Sequence, residues 1–263
     1  MNDEPVLNQA LPSCEGAVDD SQDGAPAPTL ENADPPGAPL APGLYVVGTP
    51  IGNLGDLSDR MRSVLAGVAV VLCEDTRHTR ILLDRAGVRT PMLSCHKFNE
   101  AARIGEVMAR LRNGAALALV SDAGMPAVSD PGARLVAACH AAGIAVRVVP
   151  GPSSVTCAIA LSGFGGAGFR FEGFLPPKPG ARARRLEAAL ACDLPVVLFE
   201  SPYRLIKLLE ALAACAPQRQ IMVGRELTKK FEESRVGTAG ALLEYYRPRA
   251  IKGEIVVVLA PGA

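Results

Sequence analysis

Acidic side chains stand directly after two apolar runs of the chain. Glu74 and Asp75 follow 70–73, and Asp122 follows 116–120. A short apolar run bounded by turn residues predicts a buried strand, and open α/β sheets bind ligands at the carboxyl edge of their strands. A carboxylate at that edge can accept a proton from a substrate hydroxyl or hold a ligand. We therefore interpret Asp122 as a ligand contact rather than an ordinary loop residue.

The segment 121–132 contains Ser-Asp-x-Gly followed by Ser-Asp-Pro-Gly. These small turn-forming residues predict a long exposed loop, where function concentrates. Within it we assign Asp130 a structural role, as the cap of a helix whose first residue is Pro131. In 150–154, Pro-Gly-Pro-Ser-Ser, either serine is expected to cap a helix, whose N-terminus can also receive a carboxylate or ribose oxygen.

Basic side chains lie close to these acids. In 74–80, Glu-Asp-Thr-Arg-His-Thr-Arg, an acid can orient a hydroxyl while Arg77 or Arg80 holds a phosphate. The alternative is a helix cap followed by a solvated helix face. Further basic runs occupy 178–185 and 225–230. The three histidines and seven cysteines show no metal-ligand or Cys-x-x-Cys spacing, which predicts no metal and free thiols in a reducing cytoplasm.

The charge of the chain is unevenly distributed. Its 263 residues carry 27 Lys+Arg and 27 Asp+Glu, but eight of the acids lie in residues 1–42, which hold no Lys or Arg. Residues 43–263 contain the other 19 acids and all 27 basic residues, so this part carries a surplus of eight positive charges. That surplus favours an anionic partner, nucleic acid first. Residues 1–42 are also proline-rich and predict a disordered acidic tail.

From residue 43 onward, apolar runs alternate with amphipathic stretches, which predicts α/β structure. We expect strands at 43–48, 69–73, 91–95, 116–120 and 145–149 in a parallel sheet, then strands at 170–174, 195–199, 220–225, 232–237 and 254–259. Helices are expected at 58–66, 76–86, 99–113, 131–143, 153–161, 181–192, 203–214 and 238–246. The glycine-rich stretch 162–168 predicts the boundary between two α/β domains, 43–162 and 163–263, with a ligand cleft between them.

Two glycine-rich segments are candidates for phosphate binding. The turn 48–53 follows a strand but lacks the Gly-Lys-Ser/Thr of a Walker A loop. The segment 163–168 matches Gly-x-Gly-x-x-Gly by letter but follows a predicted helix and opens none. We therefore interpret it as an interdomain linker and exclude a nicotinamide cofactor. No apolar stretch approaches the roughly 20 residues that span a bilayer, and the N-terminus shows no secretory signal, so we predict a cytoplasmic, non-membrane protein.

An ordered series of motifs across 43–263 resembles the ribosomal RNA branch of the tetrapyrrole methylase superfamily. The motifs are Leu44-Tyr-Val-Val-Gly-Thr-Pro-Ile-Gly-Asn53, Glu74-Asp-Thr-Arg77, His96 with Asn99-Glu100, Ser121-Asp-Ala-Gly-Met-Pro126, Ser129-Asp-Pro-Gly132, Pro150-Gly-Pro152, Phe171-Glu-Gly-Phe-Leu-Pro176, Glu200-Ser-Pro-Tyr-Arg204, Arg225-Glu-Leu-Thr-Lys229 and Lys252-Gly-Glu254. Met125 and Tyr203 depart from the family pattern, which usually has Thr and His there. The tail is not covered.

The resemblance implies a homodimer that uses S-adenosylmethionine to methylate a cytidine ribose 2′-hydroxyl in the decoding centre of small-subunit ribosomal RNA. It also implies a cofactor folded into the interdomain cleft. Carried over motif by motif, the cofactor positions are Ile51, Asp122, Ala123, Gly124, Val128, Ser153, Ser154, Glu200 and Leu227. The expected phosphate contacts to RNA are Arg77, Arg80, Lys97, Arg182, Arg204, Lys229 and Lys230.

The sequence leaves the chemistry of the hydroxyl open. Asp75, Asp122 and Glu100 are our candidates for a general base because each lies in a loop-edge motif; positioning without any base is the alternative. Two other functions compete. One is methylation of a tetrapyrrole or corrin, disfavoured by the basic surplus and by the motifs 74–77 and 225–229. The other is a noncatalytic RNA-binding assembly factor, disfavoured by the intact loop motifs.

Overall fold

In the computed structural model, residues 39–262 are described, and the predicted strands and helices are all present in them. In chain order they are β1 (Gly43–Val47), α1 (Asp59–Gly67), β2 (Val70–Cys73), α2 (Thr76–Ala86), β3 (Met92–Ser94), α3 (Glu100–Arg112), β4 (Ala116–Leu119), α4 (Ala133–Ala141), β5 (Val146–Val149), α5 (Ser154–Ser162), β6 (Arg170–Phe174), α6 (Pro179–Leu190), β7 (Val196–Glu200), α7 (Leu205–Cys215), β8 (Gln220–Arg225), β9 (Glu233–Thr238), α8 (Ala239–Tyr246) and β10 (Ile255–Leu259). The α/β class predicted from the apolar periodicity is confirmed.

The first five strands form a sheet in the order β3-β2-β4-β1-β5, and every neighbouring pair is parallel. Its central strands are buried on both faces, since Tyr45 and Val47 pack towards α1 and α2 while Leu44 packs towards α3 and α4. Burial on both faces explains why these strands are apolar throughout. Because all five strands are parallel, the loops that follow them meet at one edge.

The last five strands form a second sheet in the order β6-β7-β10-β8-β9. Here β6 and β7 are parallel, whereas β10 runs antiparallel to both β7 and β8, and β9 runs antiparallel to β8. The helices α6, α7 and α8 cover one face of this sheet through a leucine-rich core. The sheet is therefore mixed, a property that the local sequence pattern did not predict.

Helix α5 covers the other face of the second sheet. Its Val155 and Ala158 pack with Ile51, from the turn after β1, against apolar residues of β7, β8 and β10. This contact joins the two sheets directly. The division into domains 43–162 and 163–263 stays a prediction. Helix α5 lies within the predicted first domain but packs against the second sheet.

The predicted tail covers residues 1–42, of which 1–38 lie outside the described residues. The last three contact the folded part: Leu40 packs against the core beside α1, the Tyr45 hydroxyl donates to the Ala41 carbonyl at 3.0 Å, and Arg147 donates to the Pro42 carbonyl. The boundary of the tail at residue 42 stays a prediction, although Leu40 already contributes apolar contacts to the folded part. Within 39–262, none of the helices has the length and apolar character needed to span a membrane.

Candidate functional site

The turns after β1 and β5 touch through their backbones. The Gly48 N–H donates to the Val149 carbonyl at 2.9 Å, and a Cβ atom on Gly48 would lie 2.7 Å from the Gly151 nitrogen. Real Cβ atoms do not approach backbone so closely, so both positions require glycine. The two turns therefore form a narrow backbone wall at the carboxyl edge of the first sheet.

A Gly151→Ala variant tests this contact. Its new Cβ would lie 2.7 Å from the Gly48 carbonyl carbon, so β1 and β5 must separate. Overpacking of this kind costs roughly 1–3 kcal/mol of unfolding free energy, measurable by denaturant titration. Gly105→Ala on α3 is the matched control, because nothing lies within 4 Å of the Cβ it would add and alanine favours a helix. Equal stability of the two variants would contradict the close approach.

The loop after β4 is fixed to the turn after β1. The Thr49 and Gly124 backbones exchange two hydrogen bonds, of 2.9 and 3.1 Å, and the Thr49 hydroxyl donates to the Ser121 carbonyl at 3.2 Å. The loop thus leaves the sheet in one defined direction. This places Asp122 and Ala123 beside Ile51.

A cavity of about 370 Å³, here named the cleft cavity, lies between the two sheets. It is lined by Ile51, Ala123, Gly124, Met125, Val128, Asp130, Ser153, Ser154, Val155, Phe174, Phe199, Glu200, Ser201, Pro202, Leu227, Gly253, Glu254, Ile255 and Val256. Eight of the nine expected cofactor positions are in this set, and the ninth, Asp122, lines two adjoining cavities instead. Residues from seven of the ten motifs therefore meet in one space of a size typical of small-molecule sites.

Strained backbone borders the cleft cavity on both sides. Within residues 39–262, four non-glycine residues have positive φ angles: Ala127 (66°) and Ser129 (68°) in the first loop, Glu226 (51°) and Thr228 (67°) around Leu227 in the second. Such conformations cost free energy and persist where the surroundings impose them, often at functional sites. Both loops are therefore held in place rather than merely connecting elements.

Asp130 does not cap a helix, so the structural role assigned to it is wrong. Helix α4 begins at Ala133, its N-cap position is Gly132, and no side chain bonds there. Asp130 instead lines the cleft cavity. Burial, and then the charges of Glu74 and Asp122, raise its pKa to about 6, against a lowering contribution from the Ser121 hydroxyl.

The serines at the start of α5 differ from expectation in a related way. Ser153 occupies the N-cap position, but its side chain makes no capping hydrogen bond. Both Ser153 and Ser154 line the cleft cavity. The helix N-terminus and these hydroxyls are therefore available to a ligand's polar groups.

The three candidate bases have different surroundings. Asp75 caps α2 through the Arg77 N–H at 2.8 Å and pairs with the Arg77 guanidinium at 2.7 Å, which holds the pKa of its carboxyl well below the usual range. Glu100 is buried and accepts a hydrogen bond from the Gly132 N–H at 3.1 Å. The Oδ1 atom of Asp122 is buried with no hydrogen-bond partner among the described residues. Of the three, Asp122 is the carboxylate with an unused buried oxygen.

Asp122 belongs to two further cavities. The edge pocket, of about 470 Å³, is lined by Glu74, Asp75, Thr76, Arg77, Ser94, His96, Lys97, Phe98 and Asp122. The bridging cavity is lined by Thr49, Pro50, Ile51, Gly52, Leu54, His78, Thr79, Ile81, Leu82, Ser121, Asp122, Ala123, Lys229 and Glu254. It shares Asp122 with the edge pocket and shares Ile51, Ala123 and Glu254 with the cleft cavity. Burial raises the pKa of the Glu74 carboxyl, and the negative charge of Asp122 raises it further.

Glu200 is a buried carboxylate held by two arginines. It accepts from Arg182 at 2.6 Å and from Arg204 at 2.7 Å, and the Ser201 N–H donates to it at 2.8 Å. Arg182 and Arg204, expected to contact RNA, are thus turned inwards onto a residue expected to bind cofactor. Arg204 lies four residues after Glu200, whereas Arg182 reaches it from α6, a pairing that no local sequence pattern indicated.

The other predicted phosphate contacts fall into two groups. Arg77, Arg80, Lys97 and Lys230 are exposed. Lys229 is partly buried over Gly52 and bonds Glu226 at 2.9 Å and Glu254 at 3.0 Å. Among residues 39–262 there is no group of three or more side chains suited to hold a metal ion.

Several residues of the site were not predicted from the sequence. Phe174 and Phe199 line the cleft cavity with ring centroids 5.5 Å apart, and Glu254 joins it to the bridging cavity. The motif 252–254 was recognised but given no role. Phe98, next to Lys97, could have been identified as an apolar residue in a polar motif.

Sequence comparisons agree over most of the chain. A family profile described as Tetrapyrrole (Corrin/Porphyrin) Methylases matches residues 43–243. A protein of Mesorhizobium japonicum named ribosomal RNA small subunit methyltransferase I is 46% identical over 229 residues, covering 86% of this chain and 78% of that protein. A Thermotoga maritima protein of the same name is 43% identical over 218 residues, covering 82% of this chain and 97% of that protein.

The fold is also similar to solved structures. One is a uroporphyrin-III C-methyltransferase from Thermus thermophilus complexed with S-adenosylhomocysteine, with a TM-score of 0.57 and 16% identity. The match covers 83% of this chain and 97% of that one. At this identity the likeness shows a shared fold and no more.

Proposed function

The chain belongs to the tetrapyrrole methylase family, and from that premise we propose that it is an S-adenosylmethionine-dependent methyltransferase of small-subunit ribosomal RNA. The observation that carries the proposal is the meeting of eight expected cofactor positions in the cleft cavity. The relatives that share 43% and 46% of their aligned residues with this chain carry the ribosomal RNA name, which favours RNA over a corrin as acceptor.

The residues of the cleft cavity fit this cofactor chemically. Ile51, Leu227 and Val256 provide apolar walls suited to an adenine ring. The hydroxyls of Ser153 and Ser154 at the start of α5 suit ribose or carboxylate oxygens. The approach of Gly48 to Gly151 lets a ligand lie against backbone. When bound, S-adenosylmethionine supplies an electrophilic methyl group on its sulfonium.

Asp122 is the residue we assign to the acceptor hydroxyl. A ribose 2′-hydroxyl is a poor nucleophile until its proton is removed or strongly hydrogen-bonded. The unpartnered Oδ1 of Asp122 can accept that proton, and the residue lies next to Ala123 of the cleft cavity. Asp75 is committed to Arg77 and Glu100 to the Gly132 N–H, so we propose positioning roles for them.

We further propose that the methylated atom is the 2′-oxygen of a cytidine in the decoding centre. After reaction with methyl-labelled cofactor, the RNA is digested to nucleosides and separated by mass. Label in 2′-O-methylcytidine supports the assignment, whereas label on a base nitrogen or carbon would overturn it.

A homodimer and a cytoplasmic location are further parts of the proposal. Light scattering of the full chain checks whether it is a dimer.

The noncatalytic assembly factor is separated from the enzyme by a binding measurement. Calorimetric titration with S-adenosylhomocysteine should show one saturable site per chain. Leu227→Asp, which places a charge in the apolar wall of the cleft cavity, should abolish it. Leu243→Asp on α8, outside this cavity, is a control for general destabilisation. Absence of binding to the wild-type chain would favour the assembly factor.

Asp130 is expected to destabilise the fold at neutral pH. Because its folded pKa of about 6 exceeds the usual value near 4, the native state holds a proton that the unfolded chain releases, and stability falls as pH rises from about 4 to 6. Asp130→Asn should therefore raise the unfolding free energy at pH 8 by on the order of 1–2 kcal/mol, after discounting for partial exposure.

Denaturant titrations of both proteins check this expectation. The gain from Asp130→Asn should shrink by about half at pH 5, where the wild-type carboxyl is largely protonated. A gain that is independent of pH, or a loss at pH 8, would contradict a pKa raised by burial and by the charges of Glu74 and Asp122.

A further inference from the structure

Phe98 stands exposed on a rigid turn between β3 and α3. Its side chain is 92% accessible. The turn is held by hydrogen bonds from the His96 N–H to Asn99 Oδ1 at 2.7 Å and from the Phe98 N–H to His96 Nδ1 at 3.2 Å. The Asn99 amide also donates to the Ser94 carbonyl at 3.3 Å. A large apolar ring is therefore presented to solvent by a fixed backbone, at a free-energy cost that a ligand can offset.

The surroundings of Phe98 are polar and charged. It lines the edge pocket together with Lys97, an exposed cation, with Arg77, whose exposed guanidinium is paired with Asp75, and with Asp122 and Glu74. A surface for a second protein copy would be expected to continue the apolar character of the ring, whereas here every other residue lining the pocket is polar or charged. An aromatic ring beside cations instead matches single-stranded nucleic acid, which offers base faces and phosphates together.

The edge pocket also adjoins the reaction site. Asp122 lines both the edge pocket and the bridging cavity, and the bridging cavity meets the cleft cavity at Ala123 and Ile51. A nucleotide in the edge pocket would thus have its sugar close to the carboxylate that faces both spaces. The motifs gave roles to Asp75, Arg77, Lys97 and Asp122 of this pocket, but none to Phe98.

We propose that the edge pocket binds one unstacked nucleotide of single-stranded RNA, with its base stacked on Phe98, its phosphate at Lys97 and Arg77, and its ribose towards Asp122. Phe98 then positions the acceptor rather than taking part in chemistry. The inference rests on the proposed function, since it supplies the acceptor subsite for that reaction.

The chain contains no tryptophan, so Phe98→Trp introduces a unique fluorophore at the stacking position. Titration with a short single-stranded RNA, in the presence of saturating S-adenosylhomocysteine, should quench this fluorescence saturably, and less at high salt. Tyr203→Trp is the matched control, because Tyr203 is 90% exposed and lines none of the three cavities. Equal quenching at the two positions, or none at residue 98 while RNA binds, would overturn the proposal.

Steady-state kinetics give a second readout. Phe98→Ala should raise KM for RNA about tenfold or more with a smaller change in kcat, and should leave the Kd for S-adenosylhomocysteine unchanged. Phe98→Tyr should restore KM, because a phenol ring also stacks. An unchanged KM, or a shift in oligomeric state on size exclusion, would overturn the stacking role. A wild-type chain that binds no RNA and transfers no methyl would overturn the proposed function itself; methylation without quenching at residue 98 would overturn the edge pocket alone.

Discussion

Replacing Asp122 with Asn is expected to lower kcat by about 10²- to 10⁴-fold, the usual contribution of a general base. The substitution keeps the shape of the side chain but removes its ability to take a proton. Because Asp122 lines the edge pocket and the bridging cavity rather than the cleft cavity, the Kd for S-adenosylhomocysteine should stay within about threefold of wild type, or about 0.6 kcal/mol. Single-turnover methyl transfer and calorimetry provide the two readings.

Asp75→Asn is the control for this result. Asp75 borders the same pocket, but its carboxylate already caps α2 and pairs with Arg77. Asparagine caps helices about as well as aspartate, and the pair with Arg77 is exposed, so we expect little change in stability and a small change in kcat. If Asp75→Asn lost most of its activity while Asp122→Asn kept wild-type turnover, Asp75 rather than Asp122 would be the proton acceptor.

Replacing Glu200 with Ala is expected to destabilise the fold by about 3–5 kcal/mol. The substitution removes the shared partner of Arg182 and Arg204 and leaves their charges uncompensated beside the cleft cavity. Chemical denaturation measures the loss, and S-adenosylhomocysteine affinity should fall with it.

Glu210→Ala provides the comparison, because Glu210 forms a similar 2.8 Å pair with Arg247, but on the surface. Exposed pairs contribute about 0–1 kcal/mol, so this variant should be nearly as stable as wild type. Similar losses in the two variants would mean that burial does not govern the strength of the Glu200 cluster.

The sequence predicted the elements of the fold because their signals are local. Strands such as 70–73 are apolar throughout, and helices such as 76–86 keep one apolar face and end at Gly87 in a left-handed conformation. The insertion of β10 between β7 and β8 was not predictable in this way, since it depends on pairing across long stretches of chain. The same holds for the packing of α5 on the second sheet.

The site shows the same limit for individual side chains. Motif resemblance selected residues that meet in the cleft cavity, such as Ile51 and Leu227, although they lie far apart in sequence. It could not show that Glu200 binds two arginines, or that Asp130 faces a cavity instead of a helix terminus. Partners and exposure are set by tertiary packing, so residue types and spacing alone do not determine them.

Methyl transfer to an acceptor tests the central claim most directly. The full chain is incubated with methyl-labelled S-adenosylmethionine and small ribosomal subunits that lack the modification, with a tetrapyrrole as a parallel acceptor and Asp122→Asn as the inactive control. We expect label in the RNA, none in the tetrapyrrole, and a loss of at least about 100-fold in the variant. Label in the tetrapyrrole alone would contradict the claim, and would leave the fold correctly assigned with the wrong substrate.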